Sequence, residues 1–244
     1  MVFVRGPLVA LLLGGCASIS SVQTADTLGT GRLQVAVEPG VWGGTSSQGT
    51  RLLPHVDAAV RYGVTEKVDV GVRAGSSFLE LGAKFLVTQP GDPRLAVSLA
   101  PAVGGMIGPL SDGTGGPSRL GGFLNLALPV LVGFKTAGGS EFVLGPRAHG
   151  LFTFGSTPSM ALGVGMSVGF MWRLGERVGL MPEVSVVAPV ASNHEKVGLV
   201  GLDPFGAFVQ LKVGVLFGAF RPRPTKARLP DPEWEPSPGP PPQL

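Results

Sequence analysis

The chain has 244 residues, of which 14% are charged and 44% hydrophobic, with 39 Gly, 23 Pro and a formal net charge of +3. A soluble domain carries about 25% charged residues and about 7% Gly, whereas a disordered chain lacks apolar surface; this one therefore folds or inserts. Its 19 basic residues are scattered, with no aromatic-interleaved stripe, which argues against nucleic acid as a partner.

The N-terminus reads as an export signal. A short positive start (Met1 to Arg5) precedes the apolar run Leu8-Val9-Ala10-Leu11-Leu12-Leu13 and then Gly14-Gly15-Cys16. That run is too short to cross a bilayer as a helix, which takes about 20 apolar residues. Leu13-Gly14-Gly15-Cys16 resembles a bacterial lipobox, and the resemblance implies cleavage before Cys16 and its acylation. Cys16 is the chain's one cysteine, so no internal disulfide competes for its thiol. Residues 1–15 are thus expected as signal peptide and 16–31, polar and Ser/Thr-rich, as a lipidated tether.

From Arg32 onward the dominant signal is alternation with a period of two, which is the signature of strands with two unlike faces. Leu33, Val35 and Val37 open it. Val56, Ala58, Val60 and Tyr62 follow, against His55, Asp57, Ala59 and Arg61. Val68, Val70 and Val72 alternate with Lys67, Asp69, Gly71 and Arg73, and Leu79, Leu81, Ala83, Phe85 and Val87 with Glu80, Gly82 and Lys84. Further on come Leu95/Val97/Leu99, then Leu124 to Val132, then Phe142, Leu144, Ala148 and Phe152 against Arg147 and His149. Met160 to Trp172 opposes a file of Ala161, Gly163, Gly165, Ser167 and Gly169. Val178 to Val186 faces away from Glu183, and Val209 to Phe217 opposes Gln210, Lys212 and Gly214.

This pattern predicts an all-β fold: a closed antiparallel up-and-down transmembrane β-barrel of about 10 strands, with 8 or 12 also possible, over residues 32–220. The apolar face is almost free of charge and the other face is mostly small residues with sparse ions. Runs of nine or more residues suit a tilted membrane crossing. The connections at Gly63–Glu66, Thr88–Asp92, Thr136–Ser140 and Leu174–Glu176 read as tight turns. Those at Gly43–Thr50, Gly104–Ser118 and Ala191–Pro204 read as longer loops. Short turns on the periplasmic side and an even strand count would return both termini to the periplasm. The competing arrangement is a lipid-anchored periplasmic soluble barrel binding a hydrophobic ligand, with Val56, Val60 and Val164 inward and Arg61 and Lys67 in water.

The body resembles small Gram-negative outer-membrane β-barrel proteins. The final strand Lys212-Val213-Gly214-Val215-Leu216-Phe217 is similar to their assembly signal, with the terminal aromatic Phe220 one place late. The resemblance implies contact with membrane lipid and with the outer-membrane assembly machinery. Residues 221–244, dense in Pro, read as a disordered periplasmic tail that could contact a periplasmic partner or the cell wall.

Of catalytic or cofactor motifs there is no phosphate loop, metal-ligand spacing or nucleophile elbow. No cofactor, metal or enzymatic activity is expected. A His149–Ser167–Glu183 site would need these residues to converge. The inward charges Asp57, Arg61, Lys67, Asp69, Arg73, Glu80, Lys84, Arg147, Glu183 and Lys212, with His149, are expected to pair across the lumen, because unpaired ions are costly there. The functional expectation is a structural or adhesive outer-membrane lipoprotein with a largely occluded lumen, the alternative being a narrow channel or transporter for small solutes.

Overall fold

A computed structural model describes residues 18–46, 49–75, 78–110, 119–154, 158–193 and 207–221. The signal peptide, Cys16, His194 and the Pro-rich tail from residue 222 on lie outside the described residues.

The strand segments are β1 (Leu33–Ser46), β2 (Gly49–Gly63), β3 (Val68–Ala74), β4 (Leu79–Leu86), β5 (Leu95–Leu99), β6 (Ala102–Leu110), β7 (Arg119–Lys135), β8 (Glu141–Phe154), β9 (Ser159–Arg173), β10 (Val178–Ser192) and β11 (Phe208–Gly218). Each pairs antiparallel with its neighbours, and β1 pairs with β11, so the sheet closes on itself. β5 and β6 both lie between β4 and β7. They are one wall position interrupted at Ala100-Pro101, where Pro101 has no N–H to give the ladder. The wall is therefore a closed barrel of ten strand positions among the described residues.

The alternation sorts as the sequence predicts. Val56, Val60, Val164, Leu211 and their files are exposed on the outside, and Val164 keeps 51% of its surface free. Asp57, Arg61, Asp69, Arg73, Lys84, Arg147, Glu183 and Lys212 are buried inside. The inverted, soluble arrangement is thereby overturned: the aliphatic face is the outer one. At the tight-turn end, outward-facing Tyr62, Phe85, Phe134, Phe142, Trp172 and Phe217 form an aromatic rim, the feature that marks the interface of membrane barrels. Phe170 and Trp172 meet edge-on at 4.9 Å.

Several expectations shift. The connection placed at Gly43–Thr50 is mostly strand, since β1 runs to Ser46 and β2 begins at Gly49. In the one placed at Gly104–Ser118, Gly104–Leu110 belong to β6, their glycines sitting in the ladder with β7, and β10 runs to Ser192, into the one placed at Ala191–Pro204. Lys67 is an exposed turn residue just before β3 rather than a lumen residue; its alternation phase pointed inward, but the ladder starts one residue later. The larger difference is upstream. The residues expected to form a free polar tether run inside the barrel, with Ser18–Val22 and Ala25–Gly29 buried.

Candidate functional site

The lumen is a lattice of ions built around this internal segment. Near the middle of the barrel, Glu38 on β1 is fully buried. Arg73 lies 3.3 Å from it, Lys212 3.2 Å and Arg61 3.8 Å. Lys212, also fully buried, bonds Asp57 as well. Arg73 pairs with Glu80 at 2.9 Å, Lys84 with Asp69 at 3.1 Å, and Arg147 faces Glu183 at 3.7 Å. The structure thus brings together each charge that the sequence placed in the lumen except Lys67. Glu38 and Glu141 escaped the sequence reading. Extending the Leu33/Val35/Val37 alternation by one step would have put Glu38 on the inner face, while Glu141 is the first residue of its strand, where phase is poorly defined.

The segment Ser18–Gly31 threads this lattice, and its main chain is held chiefly by wall side chains. Arg147 donates to the Ile19 carbonyl. Arg73 donates to Ser20 O at 2.7 Å and Ser21 O at 2.6 Å, and Arg61 to Ser21 O at 2.9 Å and Val22 O at 2.8 Å. Lys84 donates to Thr24 O at 3.1 Å and Asp26 O at 2.6 Å. In the opposite sense, the N–H groups of Ile19, Ser21, Ala25 and Leu28 donate to Gln210, Glu183, Glu141 and Asp69 at 2.9, 3.2, 2.7 and 3.1 Å. Buried peptide groups need such partners, and here they come from strands scattered round the barrel.

The wall also makes room. A Cβ on Gly214 would strike the Val22 side chain, and one on Gly133 would lie 2.9 Å from Ala25. Val22 itself takes φ of +27°, a region that β-branched residues rarely enter, so the bend there is imposed by its surroundings.

At the tight-turn end the segment is fastened. Asp26 pairs with Arg221 at 3.3 Å and with Lys135, while Arg221 also reaches Glu66 at 3.1 Å. Glu66, in the β2–β3 turn, accepts the Thr30 N–H at 3.1 Å. That bond and the Arg221 guanidinium hold the Glu66 carboxyl below the usual carboxylate range. Phe220 is buried at the same end, with the Arg173 guanidinium 5.3 Å from its ring centre. Ser18, by contrast, sits higher, where Lys212 Nζ is 2.8 Å from its hydroxyl and Gln210 bonds His55 at 2.8 Å. The chain thus enters the described region partway up the lumen and leaves it at the turn end; the two ends do not lie together.

His149, Ser167 and Glu183 are all buried on the inner face; Ser167 and Glu183 share Arg147 as a partner, while His149 engages elsewhere. His149 Nδ1 meets Asn125 Oδ1 at 3.3 Å, Ser167 bonds Arg147, and Glu183 accepts from Ser20 at 2.7 Å and Ser185 at 2.8 Å. His149 pairs across the ladder with Gly163, four residues from Ser167 along β9. Among the described residues no group of His, Cys, Asp and Glu could hold a metal ion.

No protein-family model and no curated protein matches the chain. Among solved structures it is similar to the translocator domain of the autotransporter NalP from Neisseria meningitidis, at 15% identity and a TM-score of 0.41, covering 78% of this chain and 88% of that one. It is also similar to Neisserial surface protein A, at 13% identity and 0.32, covering 76% and 96%. Ail from Yersinia pestis matches at 8% and 0.36, covering 78% and 99%. Likeness at this level carries no argument about what the chain does; the closed barrel rests on its own ladder.

Proposed function

We propose that this is an outer-membrane β-barrel without a catalytic site, whose lumen is occluded by its own N-terminal segment and whose role is structural or adhesive. The observation that supports this reading is the burial of Ser18–Val22 and Ala25–Gly29 in the lumen, with their main chain bonded to the wall. A barrel of ten strand positions is already narrow, and the segment takes up part of that interior. The aliphatic exterior and the aromatic rim support membrane insertion. An outer membrane is the setting in which such barrels are assembled, through the strand-end signal that Lys212–Phe217 resembles.

The lipid anchor follows a condition set by geometry. Ser18 is held at the level of Gln210 and Lys212, and the two residues back to Cys16 span at most about 7 Å. An acyl chain on Cys16 would meet the bilayer either past an open end of the barrel or after the segment has left the lumen, and the second state is the one in which the barrel would serve as a narrow channel.

Planar-bilayer recording tests the reading. The full chain should stay silent, and a variant lacking residues 18–28 should give steady single-channel steps. Steady steps from the full chain would remove the occluded-lumen reading. Mass spectrometry of the mature N-terminus, run on silent and conducting preparations, tests the anchor.

A further inference from the structure

We infer that the lumen is a receptor for the main chain of an extended, small-residue peptide, which another polypeptide can supply in place of residues 18–30; this rests on the occluded-lumen reading. The wall recognises backbone more than side chain. Along Ile19–Val22, successive carbonyls are taken by Arg147, Arg73 and Arg61. Beyond the bend the Lys84 ammonium takes two more. The N–H groups are taken by acceptors on β11, β10, β8 and β3: Gln210, Glu183, Glu141 and Asp69.

Cations for carbonyls and carboxylates for N–H groups, interleaved along one path, make a complement to a peptide rather than to an ion of either sign. The same cations and carboxylates also pair with one another, as Arg73 does with Glu38 and Glu80 and Lys84 with Asp69. An emptied lumen therefore keeps much of its charge balanced, so that the site can survive the loss of its occupant.

The size of the occupant is set by the wall. Gly214 and Gly133 face Val22 and Ala25 at distances that no side chain on the wall could tolerate, and Ser, Thr, Ala and Gly make up most of the segment. Specific side-chain anchoring is limited to a few contacts. Ser18 and Ser20 join the wall network through their hydroxyls, Thr27 Oγ1 donates to Glu66 O and accepts from Arg221, and Asp26 gives its carboxylate to Arg221 and Lys135. The expected ligand is thus an extended peptide of small residues with one acidic residue near its C-terminal end. Nothing ties residues 18–29 to the wall by a strand ladder, so exchange need not open the barrel.

The test keeps the whole chain during folding. A protease site is inserted between the exposed Thr30 and Gly31, the protein is folded in detergent, and the site is then cut. A fluorescent peptide of residues 18–30 is added and its binding followed by anisotropy. Saturable binding is expected, with displacement of the cut segment. A peptide with Ser21 and Thr24 exchanged should compete within about tenfold, since neither hydroxyl bonds the wall and the main-chain contacts are unchanged. A peptide N-methylated at Ser21 and Ala25 should bind at least about tenfold more weakly, because two N–H donors to carboxylates are lost.

Equal binding by the methylated peptide, or failure of the permuted one, would overturn main-chain recognition. A cut segment that never leaves and excludes the labelled peptide would overturn exchange. Bilayer recording of the cut protein separates the two proposals. If the segment departs, currents appear and no peptide rebinds, the receptor falls while the occluded reading stands. If the segment departs and the barrel stays silent, the occluded reading falls.

Discussion

Strand β9 and the lumen segment Ser18–Gly29 are of similar length, yet their backbones find partners in opposite ways. Along β9, main chain meets main chain: Gly165 lies between Arg147 on β8 and Val187 on β10, and the next residues repeat the arrangement. Along the segment, main chain meets side chain, and the partners stand as far off in sequence as Gln210, 191 residues from Ile19. The wall is consequently tolerant, because substituting one of its side chains leaves the ladder intact. The lumen is brittle, because its side chains supply the hydrogen bonds and one removal strands several charges.

That contrast can be broken at several points. The largest effect is expected from Lys212→Met, which leaves Glu38 and Asp57 facing each other in the buried interior with their shared cation gone. A loss of about 3–5 kcal/mol is expected from urea unfolding in lipid. Adding Glu38→Gln and Asp57→Asn should recover most of it, and no recovery would show that the cluster is not the source.

On the wall, Val164→Arg puts a cation on the lipid face near the middle of β9 and should cost about 2–4 kcal/mol in the same assay. A neutral result would deny that this face touches hydrocarbon. Gly214→Leu drives a side chain into the space of Val22. It should cost about 1–3 kcal/mol through overpacking while releasing the segment and turning a silent barrel into a conducting one. Stability loss without conductance would separate packing from occlusion.

The smallest effect is expected at Glu66→Gln. Since the folded-state pKa of Glu66 is lowered, its contribution is present above the ordinary carboxylate value and lost as pH falls through the folded one. The variant should abolish the acid-side increase in hydrogen exchange at Thr30 and leave the rest of the barrel unchanged.

The wall was legible because its physics is local. A strand with lipid on one side and ions on the other must alternate, and Val56 to Tyr62 or Met160 to Trp172 declare their faces without knowledge of any partner. The turns at Gly63–Glu66 and Thr136–Ser140 are equally local. Most of the charged lumen followed from the same phase argument, and Lys67 failed where the phase was carried past the end of the strand.

What alternation alone determined was a set of strands with two unlike faces and the residues that share each; the β1–β11 pairing closed the sheet and set which face looks outward. Where Ser18–Gly31 goes was decided only by the tertiary structure. A run of Ser, Thr and Ala has no periodicity to mark it as buried, and its hydrogen-bonding partners are assembled only when Arg61, Arg73, Lys84, Arg147 and Glu183 are brought round one axis by the closing of the barrel. Its small polar residues suit water as readily as a lumen of ions. Closure, by surrounding them with fixed donors and acceptors, is what makes the interior their place.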